Sequence, residues 1–128
     1  MNGHIRMITL FEGRRSVFTA HALFTRFQDK ASITYFQEGN RVTLFLTPDR
    51  FTMRREGMLA AEFVQGEKTQ LFVLHGEEKG TVSIFTTAYA AHFAENSIRV
   101  ELSYSLDFGN NLQNFQLEIL LQSISEVS

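Results

Sequence analysis

Alternation of apolar and polar residues is the dominant pattern of this chain. Between Ser97 and Asp107, Ile98, Val100, Leu102, Tyr104 and Leu106 share one parity. Arg99, Glu101, Ser103, Ser105 and Asp107 share the other. A period of two puts one set on a buried face and the other in water, which predicts a strand. The next segment repeats the pattern, with Phe115, Leu117, Ile119 and Leu121 set against Asn114, Gln116, Glu118 and Gln122. Phe108-Gly-Asn-Asn111 separates the two segments. Glycine and asparagine accept the positive φ of a tight reversal, so the pair is predicted to be a hairpin with Gly109 at positive φ.

Earlier segments are shorter. Val42, Leu44 and Leu46 alternate with Thr43, Phe45 and Thr47; Pro48-Asp49 breaks the run, and Phe51–Arg55 resumes it. Gly57 precedes Met58–Val64, Gln65-Gly66-Glu67 precedes Thr69–His75, and Thr81–Thr87 alternates weakly. Two stretches are ambiguous. Val17–Gln28 places Val17, Ala20, His21 and Phe24 at helical spacing, and Thr87–Glu95 is rich in alanine. Neither has caps at both ends and the second is short for a helix, so both read as strand, with partial helix as the alternative. Glycines at 13, 39, 57, 66, 76, 80 and 109, mostly beside Asn or Glu, punctuate the chain. Short strands at such spacing predict a sandwich or barrel. The expectation is one all-β domain spanning residues 1–128. Its architecture is a closed or nearly closed antiparallel up-and-down barrel of about eight to ten strands, because closure removes exposed edges.

Composition sharpens this picture. With 128 residues the chain suits a single domain with a sizeable core. Thirteen phenylalanines and no tryptophan favour pleated, half-buried surfaces. The absence of cysteine excludes disulfides, thiolate metal sites and a cysteine nucleophile. A net charge of −2 gives no overall field for nucleic acid or anionic membrane. The sequence begins at Met1, with no charged-then-apolar leader and no apolar run near the roughly 20 residues of a membrane helix. The expectation is a cytoplasmic protein.

Candidate chemistry is sparse. His4, His21, His75 and His92 are scattered, whereas zinc needs three or four clustered ligands, so they read as surface or edge histidines and no metal is expected. No nucleophile elbow, metalloprotease helix, phosphate loop or dinucleotide fingerprint is present. Glu77-Glu78 lies in an expected turn, without the desolvation that separates the pKa values of an acid–base pair. Neither catalytic residue nor cofactor is therefore expected. Arg50, Arg54 and Arg55 surround Phe51, with Arg41 nearby. Charges that guard a strand edge explain them more simply than a nucleic-acid patch. Arg55 is different. By parity it shares a face with Phe51 and Met53, so its guanidinium points into a barrel or emerges at a strand end.

The ordered strings ITYFQEGNRVTLFLTPDRFTMRREG (Ile33–Gly57), FVQG (Phe63–Gly66) and IRVELSYSLDFGNNLQNFQLEI (Ile98–Ile119) resemble the YwiB-like domain of unknown function from Gram-positive bacteria. Tyr35, Thr43, the Arg55-x-Gly57 step, Gly66 and Tyr104 carry most of the resemblance. It implies a lipocalin-like, calycin-type barrel, and no established activity, cofactor or catalytic residue. The chain departs from the pattern at its start, where the first strand is short, and around Leu74–Gly80, where Glu77-Glu78-Lys79 makes a charged turn.

Two functional readings follow. One is a binding module for a modest amphipathic or apolar ligand, lined by Arg55, Phe51, Met53 and Tyr104, without nucleic acid or membrane as partner. The other is a solid-core interaction or regulatory protein that works through an exposed strand face or edge, without a small-molecule ligand.

Overall fold

The computed structural model describes residues 1–124. Ten strands follow one another: β1 (Asn2–Phe11), β2 (Arg14–Phe27), β3 (Lys30–Gln37), β4 (Asn40–Leu46), β5 (Arg50–Arg55), β6 (Leu59–Val64), β7 (Lys68–His75), β8 (Glu78–Phe93), β9 (Ser97–Asp107) and β10 (Leu112–Ser123). Each pairs antiparallel with its neighbours in sequence, and β1 pairs with β10, so the meander closes into an up-and-down barrel. Among the described residues none is helical. None of their helices, accordingly, is long and apolar enough to cross a membrane.

Turn chemistry explains the order. Glu12-Gly13 and Glu38-Gly39 each place two consecutive residues at positive φ. That geometry matches the twist of the flanking strands in a two-residue hairpin. Gly109 lies at φ 93°, as the loop composition predicts, and its N–H donates to Asp107 Oδ1 at 2.8 Å.

Two ambiguous stretches resolve as the strands expected, and one expectation changes. Val17–Gln28 carries no helix: residues up to Phe27 run within β2, because an unbroken ladder with β1 satisfies the backbone that a weak helical spacing would leave to itself. Thr87–Phe93 is strand, the second half of β8, but the register shifts between Thr86 and Ala88. This bulge turns both Thr86 and Tyr89 inward, which is why alternation fades there. The first strand is not short, since β1 runs from Asn2 to Phe11 and is paired on both sides.

The inward faces meet in one core that includes Ile5, Ile33, Leu44, Val100, Leu102 and Ile119. Leu102 and Leu117 are direct cross-strand partners and both are buried. The two ends of the barrel differ. At the end holding the β2–β3, β4–β5 and β8–β9 turns, Phe24, Leu46, Phe51, Tyr89, Ile98 and Leu121 are all buried. The Tyr89 hydroxyl donates to the Thr47 carbonyl at 2.6 Å, pinning β8 to the β4–β5 turn. Gly3 leaves room for Phe24, whose ring would lie 2.9 Å from an added Cβ. At the opposite end Phe18, Met53, Leu71, Tyr104 and Leu106 are only partly buried. The first end is plugged; the second, where more of the inward side chains are half-buried, is the mouth of the barrel.

The ladders are unequal. Strand β2 joins β3 only from Leu23↔Thr34 to Phe27↔Lys30, and β6 joins β7 only from Leu59↔Val73 to Ala61↔Leu71.

Burial also sets the phenols. Desolvation pushes Tyr35 up to about 12 against the opposing pull of the Arg55 guanidinium, and pushes Tyr104 up to about 12. Tyr89 is raised by desolvation and by the Asp49 carboxylate.

Leu102→Ala and Leu117→Ala are each expected to cost about 2–5 kcal/mol in chemical denaturation. As the two touch, the double variant should depart from additivity. Gly109→Val meets open space but must hold positive φ, and is expected to lose about 1–2 kcal/mol through strain alone. Alkaline titration offers a third check. The unfolded chain loses phenol protons near pH 10, before the folded one. Stability is therefore full below that pH and falls as pH rises toward the folded pKa values. Phenolate absorbance should appear together with unfolding; ionisation of all tyrosines near pH 10 in folded protein would contradict the buried placement.

Candidate functional site

The mouth collects the residues with chemical potential. Strand β5 delivers them by parity: Phe51, Met53 and Arg55 face inward, and Arg54 is exposed. Gly57 at φ 72° then reverses the chain immediately beyond Arg55. In the inward row across the short strands, Tyr35 lies opposite Val42, and Val42 opposite Arg55.

Arg55 ends inside the rim. Its side chain is 16% exposed, whereas that of Glu38, its ion-pair partner, is 82% exposed. Nη2 lies 3.3 Å from Glu38 Oε2 and 3.3 Å from the Gln37 carbonyl. Water screens a pair whose acid is this open, so the contact holds the guanidinium weakly. Nε is buried without any hydrogen-bond partner. Beside it, Tyr35 donates its hydroxyl to Met7 Sδ at 3.1 Å and its ring meets Phe18 at 5.5 Å.

The four residues singled out by sequence therefore divide. Met53 and Arg55 stand at the mouth on one wall, and Phe51 is wholly buried beneath them. Tyr104 stands on the β9 wall and reaches β5 through intermediaries: its ring packs edge-on against Phe63 at 4.8 Å, and Phe63 packs on Phe51 at 5.5 Å. On its other side Tyr104 stacks on Phe115 at 5.2 Å, which stacks on Phe11 at 4.5 Å. A chain of rings thus crosses the interior from the mouth to the plugged end, so Phe51 forms floor and not lining. Much of the phenylalanine content is spent filling the barrel.

Sequence reasoning missed a cleft beside Arg55. It has a volume of about 700 Å³ and lies between the β5–β6 turn and the β7–β8 hairpin. Arg54, Arg55, Met58, Phe72, Val73 and Leu74 are among its walls. The Leu74 N–H donates to the Met58 carbonyl at 2.7 Å, which fixes the hairpin over the turn. The run Leu71-Phe72-Val73-Leu74 is apolar on both parities, and that was the legible signal for an unusual surface.

The arginine cluster is dispersed. Arg41 pairs with Glu56 at 3.1 Å and Arg50 with Glu62 at 3.4 Å, both at the surface. His4, His21 and His92 are exposed, and the side chain of His75 lies outside the described part of the structure. Among the described residues no group of acids and histidines is arranged to hold a metal ion.

No protein-family model matches this sequence, and no curated protein does. Among solved structures the barrel is similar to the crystal structure of the ywiB protein from Bacillus subtilis. The TM-score is 0.78 at 15% sequence identity, over 97% of this chain and 91% of that one. Identity this low speaks to fold alone. The chain has the closed-barrel fold of YwiB, in keeping with the resemblance read from its strand and turn pattern.

Proposed function

We propose that the protein is a binding module for a small amphipathic anion, with Arg55 gripping the head group at the mouth. The supporting observation is the Arg55 Nε–H, which is buried and unpaired. A buried donor without an acceptor is costly, and a carboxylate bridging Nε and Nη2 would satisfy it with two charge-assisted bonds. The adjoining cleft supplies an apolar bed for a short tail through Met58, Leu59, Val73 and Leu74. Met53 and Tyr104 complete the rim of the mouth. Binding without catalysis fits the surroundings of the guanidinium, where burial keeps Tyr35 protonated and Glu38 is largely solvated. The reading involves no cofactor, nucleic acid or membrane, and places the protein in the cytoplasm.

The test is a set of thermal melts of wild type, Arg55→Met and Arg54→Met with dodecanoate or dodecanol. Dodecanoate should stabilise wild type and Arg54→Met, by about 2.7 kcal/mol at a concentration about a hundredfold above Kd. It should leave Arg55→Met unmoved. An equal response to dodecanol would remove the head-group role, and no shift of wild type with either would overturn the reading.

A further inference from the structure

The short β2–β3 ladder leaves a strand edge without a neighbour. Strand β2 is paired with β1 along Arg14–Leu23, but its other edge meets β3 only from Leu23 onward. Strand β3 continues to Gln37 beside β4 alone. Among the described residues, no backbone bond reaches the free edge of Arg14–Ala22.

The orientation of its polar groups follows from the turns. Phe11 and Arg14 close a two-residue hairpin, so they form a hydrogen-bonded pair, and even-numbered residues of β2 address β1. The N–H and C=O groups of Arg15, Val17, Thr19 and His21 therefore point to the free edge. Phe27 and Lys30 close the next two-residue turn, which gives the same assignment for the odd-numbered residues that address β3.

Proteins usually blunt such an edge with proline, lysine, an inward charge or a bulge. This one has none of these devices between Ser16 and Ala20, and its register with β1 is unbroken. Val17 and Phe36 stand exposed on the two sides of the gap. Charge indicates what fits there. Glu12 is the only acidic residue in β1, β2 and the turn between them, against Arg6, Arg14, Arg15 and Arg26. Arg6, Arg14 and Arg15 are exposed and make no ion pair among the described residues, while Arg41, Arg50, Arg55 and Arg99 all do. A chain of net charge −2 thus keeps a basic hairpin without ion pairs among the described residues next to an unpaired backbone.

We infer that the free edge of β2 receives an extended acidic segment of another protein as an added strand. The backbone ladder supplies affinity and the arginines select sign. A nucleic acid could answer the charge but could not pair with alternating N–H and C=O groups. A second copy of this chain could pair with the backbone but would set one basic hairpin against another.

The test uses the full chain and a labelled seven-residue peptide of alternating glutamate and valine, followed by fluorescence anisotropy. Amide hydrogen exchange reads the same complex without any substitution. Binding is expected to protect the amides of Arg15, Val17, Thr19 and His21. Val17→Pro removes an edge N–H that makes no internal bond, and is expected to weaken binding about fivefold or more. Arg14→Glu with Arg15→Glu should weaken it further, and the lysine–valine counterpart peptide should not bind. A peptide interrupted by proline that binds equally well, or binding without protection at those four amides, would overturn the inference. So would displacement of the peptide by a single-stranded oligonucleotide of equal charge when Val17→Pro has no effect. A dimer in sedimentation that Val17→Pro dissociates, with no peptide binding, would give the edge to a second copy and likewise overturn it.

Discussion

The pairing of β1 with β10 is the constraint on which the rest of the molecule depends. It joins the first and last strands from Gly3↔Ser123 to Phe11↔Phe115, across nearly the whole sequence. Without it, the remaining ladders would form an open ten-stranded meander with two long edges and a one-sided core. With it, the inward parities of all strands converge, and Ile5, Val100 and Ile119 become inaccessible to water. Ring closure is also the contact of greatest sequence separation, so its loop entropy must be met by apolar burial on both partners. Met7 and Ile119 sit opposite each other in that ladder, with Ile5 opposite Leu121.

Closure does not treat the two ends alike. At the plugged end the phenol of Tyr89 and the ring of Phe24 are buried, and the missing side chain at Gly3 makes room for Phe24. At the mouth the strands carry larger, half-buried groups, and the charge that β5 turns inward there is a guanidinium with an acid at its margin. That asymmetry, more than any motif, localises the candidate site.

How much of this could be read in advance depended on whether it was local. The β9–β10 hairpin was legible because both strands alternate cleanly around a loop of Gly and Asn. The inward placement of Arg55 was legible from three residues of parity and a following glycine. The bulge at Thr86/Ala88 was not, since one inserted residue erases the period that reveals a strand. The free edge of β2 was not either: where β3 stops following β2 is decided by registers set elsewhere in the barrel. The cleft at Met58 and Phe72 arises where two turns meet in space, and its only trace in sequence is an apolar run that ignores alternation. The resemblance to a YwiB-like domain anticipated the fold that the structural comparison displays, because strand and turn patterns report architecture and not chemistry.

The two abbreviated ladders have a mechanical consequence. At both margins of the β3–β6 segment the regular ladder covers only a few residue pairs, Leu23–Phe27 on one side and Leu59–Ala61 on the other, the second supplemented by the Gly66–Thr86 and Leu74–Met58 bonds. The β1–β2, β1–β10 and β9–β10 ladders, by contrast, are long and continuous. The segment is therefore a panel set into a stiffer frame made of β7–β10, β1 and β2. Because Arg55 and Tyr35 ride on it and Phe18 and Tyr104 belong to the frame, a small tilt changes the aperture between them while leaving each wall intact. The rim beside Arg55 is thus assembled from two parts that meet along short ladders.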